Sequence, residues 1–153
     1  MNKKIENVWS ILCEKSVIDS ESNNISFTNI LEEIQVTPKE GTKLSEGFDS
    51  SEKSIPMAFE LVTMWKRVGE GDVKELIRVE LVDPNGKSIA FGEHTIEMAK
   101  SLKRLRFRIR FNGLKVTIPG DYRFVVKIKQ GNTYKEVGFA DLEIKIALPK
   151  RSQ

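Results

Sequence analysis

The sequence predicts an all-β protein built as an antiparallel β-sandwich, and three observations carry that expectation. Tyr122, Phe124, Val126 and Ile128 recur at every second position, while Asp121, Arg123, Lys127 and Lys129 fill the gaps, so this strand has one apolar face and one charged face. A Gln130-Gly131-Asn132 turn then leads into a second β-rich run ending Leu142-Glu143-Ile144-Lys145-Ile146, which completes a hairpin. Pro119-Gly120-Asp121 stands directly before Tyr122, the place where immunoglobulin-type sandwiches carry a tyrosine whose hydroxyl bonds back to upstream backbone. Strand signals also recur at regular spacing with no helical segment between them. The expected architecture is an immunoglobulin-like or C2-like sandwich of eight to nine strands.

In chain order, Val8 to Val17 is mostly apolar, with Trp9, Ile11 and Cys13 on one face and Val8, Leu12 and Ser10 on the other, as in a strand covered on both sides. The turn formers Asp19-Ser20-Glu21-Ser22-Asn23-Asn24 join it to Ile25-Ser26-Phe27, giving a hairpin. Ile30, Leu31 and Ile34 fit either one helical turn or a bulged strand. Residues 38–55 are Lys, Glu, Gly, Ser and Asp with little to bury, which predicts a long mobile loop. Met57 to Val68 aligns Phe59, Leu61, Thr63 and Trp65 as a strand, and Gly69-Glu70-Gly71-Asp72 turns the chain into Leu76 to Val82. Asp83-Pro84-Asn85-Gly86 is a strong turn, because proline presets φ and Asn-Gly accepts positive φ. Ser88 to Ile96 follows as a strand, and Met98 to Leu102 is ambiguous. Leu105 to Phe111 is the cleanest alternation in the chain, Asn112-Gly113 closes it, and Leu114 to Ile118 is a short strand before the final hairpin.

At 153 residues, 39% of them hydrophobic and 31% charged, the chain suits one domain spanning 1–153 with a packed core. No run approaches the ~20 apolar residues of a membrane span, and the charged start of the chain is unlike a signal peptide. Cys13 is the only cysteine, so no internal disulfide forms and a reducing compartment, the bacterial cytoplasm, is expected.

The apolar first strand leading to Cys13-Glu14, then Val17-Ile18-Asp19, Ile25-Ser26-Phe27-Thr28-Asn29-Ile30-Leu31-Glu32-Glu33-Ile34, Val82-Asp83-Pro84-Asn85-Gly86 and Gly120-Asp121-Tyr122 together resemble an uncharacterised family of small prokaryotic β-sandwich proteins, a domain of unknown function. The resemblance covers most of the chain outside the 38–55 insertion. Its motifs are turns and core positions, so it implies a fold and a bacterial origin and no reaction.

Candidate chemistry is sparse. Nucleophilic catalysis needs a base beside the nucleophile, yet the chain has one histidine, His94, in a predicted strand, where a structural or merely exposed role is the expectation. Cys13 reads as a buried thiol rather than a nucleophile. No Cys/His spacing suits zinc, and no phosphate or dinucleotide loop is present, so no cofactor is expected. Asp19, Glu21, Asn23 and Asn24 cluster in the first turn, but they lack the order of a calcium loop and read as a solvated turn.

Charge distribution is the unusual feature. Residues 100–130 carry ten basic side chains against Asp121, a net +9 in a chain whose total is +3. Arg104, Arg106, Arg108 and Arg110 project from one side of a strand at a repeat of ~6.6 Å, with Lys127 and Lys129 on a strand that could neighbour them. The strip suits an anionic partner such as nucleic-acid backbone, an acidic protein or an anionic surface. Equally, Glu80, Glu93, Glu97 or Glu143 could neutralise it across the sheet. Phe107 and Phe111 alternate onto the opposite side, which disfavours base stacking. The reading is therefore a non-catalytic binding or assembly module with a protein partner or self-association, and the alternative is a nucleic-acid or anionic-surface binder.

Overall fold

A computed structural model describes residues 3–37 and 53–147. They form a β-sandwich of mainly antiparallel strands, with eleven strands among the described residues. In order these are β1 (Ile5–Ile18), β2 (Ile25–Ile30), β3 (Glu33–Val36), β4 (Lys53–Ile55), β5 (Phe59–Arg67), β6 (Val73–Val82), β7 (Ser88–Met98), β8 (Arg104–Phe111), β9 (Leu114–Val116), β10 (Gly120–Gln130) and β11 (Thr133–Ile146). One sheet runs β2-β1-β5-β8, the facing sheet runs β3-β11-β10-β6-β7, and β4 pairs with β9.

The count exceeds the expected eight or nine because short strands are invisible to periodicity. Ile34 lies in the four-residue β3, which pairs parallel to the end of β11, so the segment is extended rather than a helical turn. The last three residues of the expected 38–55 loop are β4, while 38–52 lie outside the described residues. The ambiguous Met98 to Leu102 segment ends β7 and then turns, with Leu102 N–H donating to the Ala99 carbonyl at 2.9 Å.

The core fills the space between the sheets. Trp65, Tyr122, Phe124, Leu61, Ile77, Ile96 and Met98 are among its fully buried side chains, each contributing about 1.5–3 kcal/mol through burial. The buried indole of Trp65 is satisfied, since its Nε1–H donates to Thr63 Oγ1 at 2.8 Å and that hydroxyl donates to the Phe107 carbonyl at 3.1 Å. Tyr122 forms the expected corner: its hydroxyl accepts from the N–H of Thr117 at 2.9 Å and of Ile118 at 3.1 Å, and donates to the Ile118 carbonyl. Gly120 precedes it with φ +137°, and a Cβ there would press to 3.0 Å from the Pro84 ring.

Candidate functional site

The four arginines of β8 share the outward face of the four-stranded sheet, as their spacing requires. Among the described residues β8 pairs only with β5, and the register sets Arg110 opposite Glu60, Arg108 opposite Val62, Arg106 opposite Met64 and Arg104 opposite Lys66. Lys127 and Lys129 do not join this strip. They lie on β10, at the centre of the other sheet, and point away from the opposite face of the sandwich. Local alternation fixes which way a side chain points but not which strand becomes its neighbour, so the expected continuous patch is split in two.

The arginine face is also partly covered. Trp9 and Ser16 are seven residues apart in β1, ~23 Å along a straight strand. Yet Phe27, the register partner of Ser16, meets the Trp9 ring edge-on at 5.8 Å between centroids, so β1 bends and carries β2 back over the sheet. Asn29, with φ 47°, donates from Nδ2 to Glu14 Oε2 at 2.6 Å beside the bend. This overlay explains why Cys13 and Val62 are fully buried although they sit outside the core between the sheets.

The arginines fasten the overlay. Arg106 Nη2 donates to the Asn23 carbonyl at 2.7 Å and to Asn23 Oδ1 at 2.9 Å, reaching the tip of the β1–β2 hairpin. Arg108 approaches the carbonyl and hydroxyl oxygens of Ser16 at 3.5 and 3.4 Å. Arg110 pairs with the buried Glu60 at 3.3 Å, and Glu60 in turn accepts from the N–H of Ser16 at 3.0 Å and from its hydroxyl. Arg104 has no partner among the described residues. Burial, reinforced by the Glu60 charge, pushes the Cys13 thiol up from its ordinary value and keeps it protonated.

On the five-stranded face, Lys127 pairs with Glu80 at 2.8 Å, one of the acids expected to neutralise the basic residues. The other expected acids serve different cations: Glu93 holds Arg78 at 2.8 Å, Glu97 holds Lys74 at 3.5 Å and Glu143 approaches Lys145 at 3.8 Å. The Arg78 guanidinium lies 4.4 Å from the ring centroids of both Phe91 and Tyr134, and Arg123 lies 4.2 Å over Phe139. Each guanidinium covers part of its ring, though Phe91 and Phe139 remain largely exposed.

The most distinctive surface is the open side between the sheets. β7 ends one sheet and β8 ends the other, and between them lies a groove of about 330 Å³ whose lining includes Phe59, Leu81, Gly92, His94, Phe111 and Phe124. Phe59 stacks on Phe111 at 4.7 Å, and Phe124 meets both rings at 5.9 and 5.7 Å, so the lining is one aromatic cluster. Phe91 stands at the rim, 66% exposed. Arg67 holds the chain that joins the two edges: it donates to the carbonyls of Leu102 at 2.9 Å and Met98 at 3.1 Å, and also to those of Ala99 and Gly71. His94 points inward against Phe107, 5.5 Å between ring centroids, and burial pulls its imidazole below the ordinary value of 6.5.

The sequence carried a signal for this surface. Residues 88–98 contain no Lys, Arg or Pro, the residues that usually blunt an edge strand. By contrast, the acidic first turn is self-satisfied, because Asp19 Oδ1 accepts the N–H groups of Ser22 at 2.7 Å and Glu21 at 3.0 Å, which holds its carboxyl below the usual range. Among the described residues no group of three His, Cys, Asp or Glu side chains converges to hold a metal, and no helix is long and apolar enough to cross a membrane.

No family model and no curated protein matches this chain. Solved structures align with part of the chain at low identity and low TM-score. A glycosyl hydrolase family 2 member from Bacteroides cellulosilyticus aligns at a TM-score of 0.43 and 13% identity, over 64% of this chain and 12% of that one. The alkylpurine DNA glycosylase AlkC of Pseudomonas fluorescens, bound to DNA with an abasic site analog, aligns at 0.45 and 11%, over 67% and 32%. The CARDB domain of the PF1109 protein from Pyrococcus furiosus, in complex with di-metal ions, aligns at 0.40 and 16%, over 69% and 99%. The chain thus spans about an eighth and a third of the first two proteins.

Proposed function

We propose that this chain is a non-catalytic binding or assembly module that engages a protein partner along the open side of its sandwich. The observation that carries the reading is the eleven-residue edge strand β7, without a blunting Lys, Arg or Pro, beside an aromatic-lined groove and the exposed Phe91. An extended segment added there would gain main-chain hydrogen bonds from the edge and apolar burial from the groove. The buried, protonated thiol of Cys13 fits residence in a reducing compartment, the bacterial cytoplasm. The polyanion reading is the weaker one, since Arg106, Arg108 and Arg110 direct their guanidinium groups to oxygens of their own chain.

Site-specific photo-cross-linking tests the proposal. The full chain carries a benzophenone amino acid at Phe91 or, as a control, at the exposed Val17 on the hairpin, and is irradiated in the cells that produce it. A discrete adduct from position 91 that disappears with Ala90→Lys supports the reading. Adducts from position 17 alone, or equal labelling from both positions, overturn it.

A further inference from the structure

The groove has two rims of opposite charge. The outward side chains of β7 are Phe91, Glu93, Thr95 and Glu97, all exposed, and its only formal charges are the two acids. The outward side chains of β8 are Arg104, Arg106, Arg108 and Arg110, and that strand carries no acid. The inward side chains of both strands are mainly apolar: Ala90, Gly92, His94 and Ile96 on β7, Leu105, Phe107, Ile109 and Phe111 on β8. Among the described residues each strand lacks a neighbour on one side, and each offers what the other needs.

We infer that the partner at this open side is a second copy of the same chain, joined by reciprocal pairing of β7 with β8 of the other copy. The inference rests on the open-side reading and names the occupant. A two-fold axis running parallel to the strands between two facing open sides exchanges the two sheets, so that β7 of one copy meets β8 of the other and the reverse pairing follows by symmetry. Such an axis preserves height along the strands. Residues already level across the groove within one chain therefore become register partners between copies.

The contact of His94 with Phe107 fixes that level. The short Ala99–Lys103 connection returns β8 antiparallel to β7, so the same register sets Glu93 opposite Arg108 and Glu97 opposite Arg104. Phe91 then faces Arg110, Thr95 faces Arg106, and all eight residues of β8 find partners between Ala90 and Glu97. All of these outward side chains emerge on the same face of the joined sheets, so the charges meet rather than lie on opposite sides. Beneath them, Ile109 falls opposite Gly92 and Phe111 opposite Ala90, large against small. A dimer that instead pairs β7 with β7 must also bring the β8 arginines against one another, which is repulsive. Arg104, without a partner among the described residues, and Glu97, held only by the exposed Lys74, are the pair most available to exchange.

Sedimentation of the purified full chain over a concentration series tests the inference. The wild type should dimerise, more tightly at low than at high salt. Glu93→Arg/Glu97→Arg and Arg104→Glu/Arg108→Glu should each weaken self-association at least tenfold, with folding checked by circular dichroism. An equimolar mixture of the two variants should regain dimers, since both strand pairs are then complementary. Register has its own readout: chains carrying Glu97→Cys should form a disulfide with chains carrying Arg104→Cys, and neither should cross-link with itself. A wild type that stays monomeric through the millimolar range, or a Glu97→Cys self-disulfide, overturns the inference. A monomer that still gives the position-91 photo-adduct with another protein refutes self-pairing while leaving the open-side reading intact.

Discussion

Tyr122→Phe removes one oxygen and nothing else from the core, which makes it a sharp test of the corner. The hydroxyl is fully buried and serves three backbone groups, the N–H groups of Thr117 and Ile118 and the carbonyl of Ile118. An ordinary hydrogen bond is worth about 1 kcal/mol net, but a buried donor left without a partner costs about 1–3 kcal/mol. Thr117 is itself buried, and its hydroxyl already donates to Asp83 Oδ2 at 2.9 Å, so it cannot turn back to rescue its own N–H. Ile118 is only partly buried, and water can reach it at smaller cost. Summing one stranded donor and one weakened bond gives about 2–4 kcal/mol, well above the value for a single hydroxyl contact. Urea unfolding followed by the fluorescence of buried Trp65 reads the change as a shift of midpoint at constant slope. A loss below about 0.5 kcal/mol would refute the reasoning, because it would mean that the freed groups find equivalent partners.

Three further perturbations probe separate parts of the structure. Gly138→Ala should destabilise the protein markedly, because the added Cβ would collide with the Asn7 side chain, which bridges the Trp9 and Met64 carbonyls at the β1 bulge; thermal melting checks it. Arg106→Ala should loosen the hairpin overlay and raise the rate at which a thiol reagent labels Cys13 several-fold with little change in global unfolding; an unchanged rate would show that the fastening does not guard the thiol. His94 has a folded pKa below the ordinary 6.5, so the neutral-imidazole contribution is present above that value and lost as pH falls through the folded pKa. The urea midpoint should therefore fall between about pH 7.5 and pH 5.5, and His94→Phe should flatten that part of the profile.

Much of the sandwich was legible because period-two alternation reports a strand and its buried face directly. Leu105 to Phe111 and Tyr122 to Ile128 fall within β8 and β10 with their faces as expected, and the Pro119-Gly120-Asp121 approach to Tyr122 produced the corner. Strand order was not legible. Nothing local distinguishes β5 from β10 as the neighbour of β8, which is why Lys127 and Lys129 were expected beside the arginines and stand on the opposite face. The bend of β1 was hidden for a related reason, since Trp9, Ile11 and Cys13 alternate as in a straight strand and only the long-range contact with Phe27 shows that the strand turns. Charge counting likewise missed that Arg106 and Arg108 end on neutral oxygens of the hairpin, partners that no tally of acids reveals.

The groove and its rims share one structural cause. Five residues join β7 to β8, a length that could close a tight hairpin and pair the two strands in one sheet. Instead Arg67 at the end of β5 ties the end of β7 and the β7–β8 connection at three carbonyl groups, those of Met98, Ala99 and Leu102, while β5 claims the whole length of β8. With β8 committed to β5 and β7 committed to β6, each strand keeps one bare edge among the described residues, and none of the described strands covers the aromatic side chains between them. Arg67→Ala should therefore act on the open side at a distance: loss of the tie lets the connection relax, so hydrogen exchange should quicken at Met98 to Leu102 before it changes in β10. Uniform quickening across both sheets would instead make Arg67 a general stabiliser and break the link between the tied connection and the open edges.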